Sequence, residues 1–452
     1  MSFAEKTALE LGRAYEAGKA DPREVAEEFL ERAGLLDPDA RVYVRLLERR
    51  ARAEAEAASG RARRGLRRHA LDGVPLSWKD LFDVAGEVTA AGSLALKSRV
   101  PARDAEVLAR ATRMGSVALG KTAMTELAFS GLGINPKFGT PANPHDGKVE
   151  RVPGGSSAGA GVSVAAGLAP AAIGTDTGGS VRIPSAWNGL VGLKTSAGRL
   201  PLTGTVPLSA TFDTVGPLAK TAEDASALLA LLEGREARPL HAADLSRAAF
   251  WLPQGGIVWE DAEPAVRSAL GNAIRRLIRS GARIVEHPLP ELDEINALAW
   301  DPRASRLVAE AYAQWGEMLA ANERLIYRPV YERVMAGEKL MAGDLLRGDL
   351  KRKEITARYL AATTGVDAVI LPAVAIAPPP IAELEAGGEA YSRANRLALR
   401  NTTIGNQLGL AALSLPCGVD DNGLPIGLML QGAPYTEEKL LSLALALERL
   451  LK

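Results

Sequence analysis

Apolar positions along the chain switch between helical and strand spacing from end to end. Residues 1–58, rich in Ala, Glu, Leu and Arg, predict two or three helices. In GVPLSWKD the apolar Val74, Leu76 and Trp78 fall on alternate positions, which predicts a strand. The basic stretch RARRGLRRH at 61–69 lies between them and reads as a solvated connector rather than a phosphate-binding surface. Helical spacing returns over 104–114, SVALG predicts a strand, and TAMTELAF predicts a helix start capped by Thr122 or Thr125. A glycine-rich centre spans 131–204. Beyond it come a helix at 221–234 and a helix–strand pair, AVRSALGNAIRRLIRSG feeding ARIVEHPL. Long helices follow over roughly 304–362, then strands in DAVILPAVAIAPPP, LSLP and PIGLMLQG and a last helix from Glu437. There is no internal repeat and no low-complexity linker. Alternating strands and helices predict one large α/β unit rather than a multi-domain chain.

Composition narrows the class. Of 452 residues, 47% are apolar and 24% charged, ordinary values for a globular protein. The 54 basic and 54 acidic residues cancel, so no global field recruits nucleic acid or an anionic membrane. Cys417 is the one cysteine, which excludes an intrachain disulfide and fits a reducing cytoplasm. The start, MSFAEKTALELGRA, is a charged amphipathic helix and not a signal peptide. The uncharged run Ser156–Thr175 has transmembrane length, but its Gly, Ala and Ser content and Pro170 predict a buried helix plus strand.

Candidate chemistry is sparse. GSVALGKT, Gly115–Thr122, spells a P-loop, yet its middle residues are themselves the apolar strand, and a strand cannot also wrap phosphates. The four histidines, His69, His145, His241 and His287, form no metal-binding pair, so no metal is expected. GSSAG at 155–159 spells a nucleophile elbow around Ser157, but the residues before it are turn-like rather than a strand. Two clusters remain, GGSSAGAG and GTDTGGS. Either alone is explained by close packing; together they read as an acyl-transfer site. Amides of Thr177, Gly178, Gly179 and Ser180 can line an oxyanion hole, with a serine at their end placed to attack the carbonyl. With no suitable histidine, a lysine must serve as base, and only when burial keeps it neutral. Lys79, inside the apolar strand PLSWKDLF, is the best candidate.

The run GGSSAGAGVSVAAGLAPAAIGTDTGGSVRIP resembles the signature of the amidase signature family of serine hydrolases. The likeness extends to GVPLSWKD, GKTAMTELAFSG, GLVGLK and DTVGPLAKTAEDA, and more weakly to NTTIGNQLGLAALSLPCG and GLPIGLMLQG. It implies an α/β fold, a single large domain with a mixed twisted central β-sheet covered by α-helices on both sides. Residues 1–60 would supply N-terminal helices, 70–235 the signature core, and 236–452 the rest of the sheet and the pocket helices. It implies a Ser–cis-Ser–Lys triad: Ser180 as nucleophile, Ser156 as bridge after a cis peptide bond, and Lys79 as base. Ser157, Asp176 and Arg182 match positions that hold the loop by hydrogen bonds.

Two departures matter. GLKTSAG has Thr195 where the family usually has proline. AWDPRASRLVAEAYAQWGEMLAANERL does not resemble the S-S-N-L-A-R-Y segment of glutamine-amidotransferase A subunits. Trp187 reads equally as packing residue or pocket wall, and FSGLG (Phe129, Ser130, Gly131, Leu132, Gly133) as one pocket wall. The expected function is a free-standing, cofactor-independent cytoplasmic amidase, monomer or homodimer. Its substrate would be a small or medium amide, with carbamate, anilide or ester also accessible, and it would bind neither nucleic acid nor membrane. An A subunit of a glutamine-dependent tRNA amidotransferase is the second reading, and a nucleotide-binding protein using GSVALGKT the third.

Overall fold

Eleven strands form one mixed sheet in a computed structural model that describes residues 2–451. In chain order they are β1 (Tyr43–Leu46), β2 (Pro75–Lys79), β3 (Val117–Thr122), β4 (Ala171–Asp176), β5 (Val191–Lys194), β6 (Thr214–Ala219), β7 (Ala249–Pro253), β8 (Arg283–His287), β9 (Ala368–Pro372), β10 (Ala411–Val419) and β11 (Pro425–Gly432). Their spatial order is β1-β3-β2-β4-β6-β5-β10-β11-β9-β7-β8. β2 runs parallel to both β3 and β4, whereas β6 is antiparallel to β4 and to β5. Helices flank the sheet. The main apolar cluster runs from Leu11 and Phe29 in the first two helices to Leu440 and Leu447 in the last. Among the described residues no helix is long and apolar enough to cross a membrane.

Position in the sheet explains β2. Paired on both sides, all five of its residues are buried, including the polar Ser77 and Lys79. Pleating still sorts them by face: Ser77 Oγ lies 2.8 Å from Ser163 Oγ on the helix Ala158–Ala165, and Lys79, two residues on, shares that face. The uncharged run is that helix followed by β4, as its composition predicts.

Some expectations fail locally. Thr122 ends β3, and Thr125 precedes only a short 3₁₀ turn, Glu126–Ala128, without a side-chain cap. Leu127 and Ala128 there adopt positive φ, which a regular helix does not accommodate. The basic stretch 61–69 begins inside the helix Glu48–Arg63, whose register continues to Arg63. GSVALGKT lies mostly in β3, and Lys121 pairs with Asp80 at 2.9 Å inside the protein. Strand β7 and the helix Gly388–Gln407 were not anticipated.

Candidate active site

Parallel pairing brings the carboxyl ends of β2 and β4 together, where open α/β sheets place their sites. Lys79 closes β2, and Thr175 and Asp176 close β4. Lys79 Nζ lies 2.7 Å from Ser156 Oγ and 2.9 Å from Thr175 Oγ1, with Lys79 and Ser156 fully buried. Burial lowers the Lys79 pKa to about 7, against the pull of Asp213 and Asp176, which favour the charged form. Through neutral pH this lysine passes from charged to neutral and gains a free lone pair.

Ser156 follows a cis peptide bond from Gly155. Gly155 must be a glycine: a Cβ there would meet the Gly133 amide nitrogen at 2.5 Å. The Gly155 amide donates to Gly131 O at 2.8 Å and Gly154's to Leu132 O at 3.2 Å, so the FSGLG segment cradles the turn before Ser156. The Ser157 amide donates to Ser180 O at 3.3 Å, and its hydroxyl to Thr175 O at 3.3 Å, which ties the two serine loops to each other and to β4.

The turn after β4 is organised by Asp176. Its carboxylate accepts from the amides of Gly179 (2.8 Å) and Val181 (3.1 Å), from Arg182 Nε (3.0 Å) and Nη2 (2.9 Å), and from Asn406 Nδ2 (2.9 Å). Burial pushes this carboxyl up, but Arg182 above all holds it well below the usual carboxylate range. Across the turn, Thr402 Oγ1 and Thr403 Oγ1 donate to Gly178 O at 2.7 and 3.1 Å. The Gly178–Gly179 peptide is thus held at both ends, and the N–H of Gly179 is not available as an oxyanion donor. Among the described residues the amides of Thr177, Gly178 and Ser180 donate to no acceptor, so three of the four expected donors remain.

Ser180, Thr177 and Gly178 open onto a cavity of about 480 Å³. Phe129 and Ser130 line it, as expected; Gly131, Leu132 and Gly133 do not, because they face the 154–155 turn. Trp187 is a packing residue: it is 1% exposed, and its indole N–H donates to Ile376 O at 2.9 Å. The opposite wall comes from 299–308, from the helix Arg328–Met335 and from the helix Gly388–Gln407. Among the described residues no group of three or more His, Cys, Asp or Glu stands ready to hold a metal.

The sequence profile of the Amidase family matches residues 24–441. The chain belongs to the Amidase family. It is 37% identical to the 2-amino-5-chloromuconic acid deaminase of Comamonas testosteroni over 89% of this chain and 87% of that one. It is 33% identical to the A subunit of the glutamyl-tRNA(Gln) amidotransferase from Myxococcus xanthus, over 99% of this chain and 98% of that one. A crystal structure described as an amidase superposes with a TM-score of 0.88 at 34% identity, over 99% of this chain and 100% of that one. This amidase is therefore an α/β enzyme that hydrolyses carbon–nitrogen bonds other than peptide bonds.

Sequence reasoning missed Thr175, Asp213, Thr402, Thr403, Asn406 and Arg333. The segments DTVGPL and NTTIGNQ, already similar to the family, held four of them, but only the fold shows what they touch. Arg333 had no such signal.

Proposed function

We propose that this amidase acts on small amides that carry a carboxylate, through an acyl-Ser180 intermediate. Neutral Lys79 accepts a proton from Ser156 as Ser156 accepts one from Ser180, whose oxygen attacks the amide carbonyl. The developing oxyanion meets the unengaged amides of the 177–180 turn, of which Gly178 and Ser180 are the nearest in sequence to the nucleophile. The relay reverses to protonate the leaving nitrogen, and water repeats the attack on the acyl-enzyme. The contact of Lys79 with Ser156 and the cavity beside Ser180 support these roles.

Arg333 carries the choice of substrate. It lines the cavity, stacks 4.1 Å from the centre of the Phe129 ring, donates to Phe129 O at 3.1 Å, and has no carboxylate partner among the described residues. Burial lowers its pKa to about 10, a cost that an anionic ligand removes through charge-assisted, bidentate hydrogen bonds. The relative from Comamonas testosteroni is likewise named for an acid. Arg333→Met should lower kcat/KM for a carboxylate-bearing amide by about 10- to 100-fold, mostly through KM, and leave a neutral amide of equal length nearly unchanged. Equal losses on both substrates would overturn the assignment.

Carbamates, anilides and esters present the same carbonyl and are accessible to the same relay. Likeness to the amidotransferase's A subunit over 99% of the chain supports a second reading, in which glutamine is the amide and ammonia passes to partner subunits. Assaying the purified chain alone separates the two, since such a component depends on partners and tRNA. Lone Cys417 supports a cytoplasmic location, and size-exclusion chromatography decides between monomer and homodimer.

A further inference from the structure

The segment 208–213 enters β6 and is gripped at both ends. Asp213, buried, accepts from Thr177 Oγ1 at 2.5 Å and from the amides of Leu208 and Ser209 at 2.9 and 3.0 Å. Thr177 and Leu208 both line the substrate cavity. At the other end, Ser209 Oγ, the Thr211 amide (3.1 Å) and Thr211 Oγ1 (2.5 Å) donate to Glu310 on the helix Arg306–Ala321.

The charges around Lys79 differ in how they are compensated. Asp176 is neutralised by Arg182 at 2.9 Å, with buried Lys194 also near it. Asp80, the next residue along β2, is paired with Lys121 at 2.9 Å. Asp213 has hydrogen-bond donors but no ion pair among the described residues; Arg306 sits 3.9 Å from Glu310, and Arg352 stacks over Phe212 at 5.0 Å. Geometry puts Asp213 at the same end of the sheet as Lys79. It adjoins Thr214, the cross-strand partner of Asp176, and bonds Thr177, while Thr175, two residues before Thr177 and within β4, holds Lys79 Nζ at 2.9 Å. In keeping with that placement, Asp213 is the larger of the two charges that raise the Lys79 pKa against burial, and Lys79 lowers the burial-raised pKa of Asp213.

We propose that Asp213 is a positioning residue whose uncompensated negative charge bears on Lys79 while its two oxygens clamp the Thr177 turn to the cavity wall at Leu208. One carboxylate then ties the strength of the base to the placement of the oxyanion turn. Neither Asp176 nor Asp80 can do this, because each has its own cation. The inference rests on the proposed roles of Ser180 and Lys79.

The test needs no knowledge of the substrate. The rate at which a fluorophosphonate labels Ser180 is measured against pH in the full chain, with the labelled residue identified by mass spectrometry. Asp213→Asn removes the charge but keeps the shape. Its acid limb should move down by about one pH unit, and its plateau rate should fall about tenfold, because the base is weaker. Asp213→Ser, also neutral, should show the same shift and serves if the asparagine variant does not fold. Asp213→Glu should return the limb toward the wild-type position. Thr177→Val and Glu310→Gln keep the Asp213 charge and should leave the limb where it is. A plateau that falls while the limb of both neutral variants stays in place means a merely structural role and overturns the proposal. Labelling at a serine other than Ser180 in the wild-type chain instead overturns the reading of the site, and this inference with it.

Discussion

The proposed role of Lys79 rests on its burial beside two hydroxyls, with no carboxylate in direct contact among the described residues. Its pKa of about 7 places the change from charged to neutral inside the working range, so kcat/KM should rise through neutrality to an alkaline plateau. A profile that peaks near pH 5 and falls through neutrality contradicts a neutral lysine. Ser180→Ala removes the acyl carrier and should reduce hydrolysis to background. Lys79→Ala should lower amide kcat/KM by about three to four orders of magnitude, and ester kcat/KM less, because an alkoxide leaves without the proton an amine requires. Ser156→Ala should fall between, and the Lys79→Ala/Ser156→Ala pair should be scarcely worse than Lys79→Ala alone. A double mutant at the product of the two single losses shows that the residues share no proton path. These proposed roles could be read from the sequence because each residue sits in a short, distinctive run. Arg333 was not, since YERVMAG is an ordinary amphipathic stretch and only packing against Phe129 turns its guanidinium into the cavity.

Among the elements, the turn between β4 and the helix Arg182–Trp187 depends most on backbone. Gly179 has φ 136°, and a Cβ there would sit 2.1 Å from Thr402 Oγ1, the hydroxyl that holds Gly178 O. Gly179→Ala should therefore cost about 2–4 kcal/mol of stability and depress activity far more than that loss explains, because the oxyanion amides turn with the displaced peptide. Urea denaturation and kcat on the folded fraction separate the two effects; a fully active variant would show that the turn tolerates displacement. Apolar period and punctuation located most strands and helices. They missed the helix Gly388–Gln407, whose sequence GEAYSRANRLALRNTTIGNQ mixes polar residues into a buried face. Those polar residues, Asn395, Thr402, Thr403 and Asn406, are buried because they grip the pocket wall and the Asp176 turn. Hydrophobic patterning cannot foresee a face made of hydrogen bonds.

For the whole molecule, Lys79 and Lys194, two of the three buried lysines, leave a thermodynamic signature. Burial brings Lys79 and Lys194 each to about 7, well below the unfolded value of 10.5. Between those pH values the unfolded chain binds more protons than the native one, so stability rises with pH across that window and is lowest below pH 7. Denaturation midpoints from pH 6.5 to 9.5 should increase, and Lys194→Met should flatten that rise. An unchanged slope in the variant means that Lys194 does not titrate as its burial implies. The sequence by itself determined the α/β class and the family likeness, and through that likeness it pointed to Ser180, Ser156 and Lys79. Those properties reside in local runs whose spacing and glycine content survive without a fold. Tertiary structure alone decided that burial lowers the Lys79 pKa to about 7, that the Gly179 amide donates to Asp176, and that Arg333 lines the cavity with no carboxylate partner among the described residues. Each depends on burial and on partners tens to hundreds of residues away, and burial and distance are properties that only the packed chain possesses.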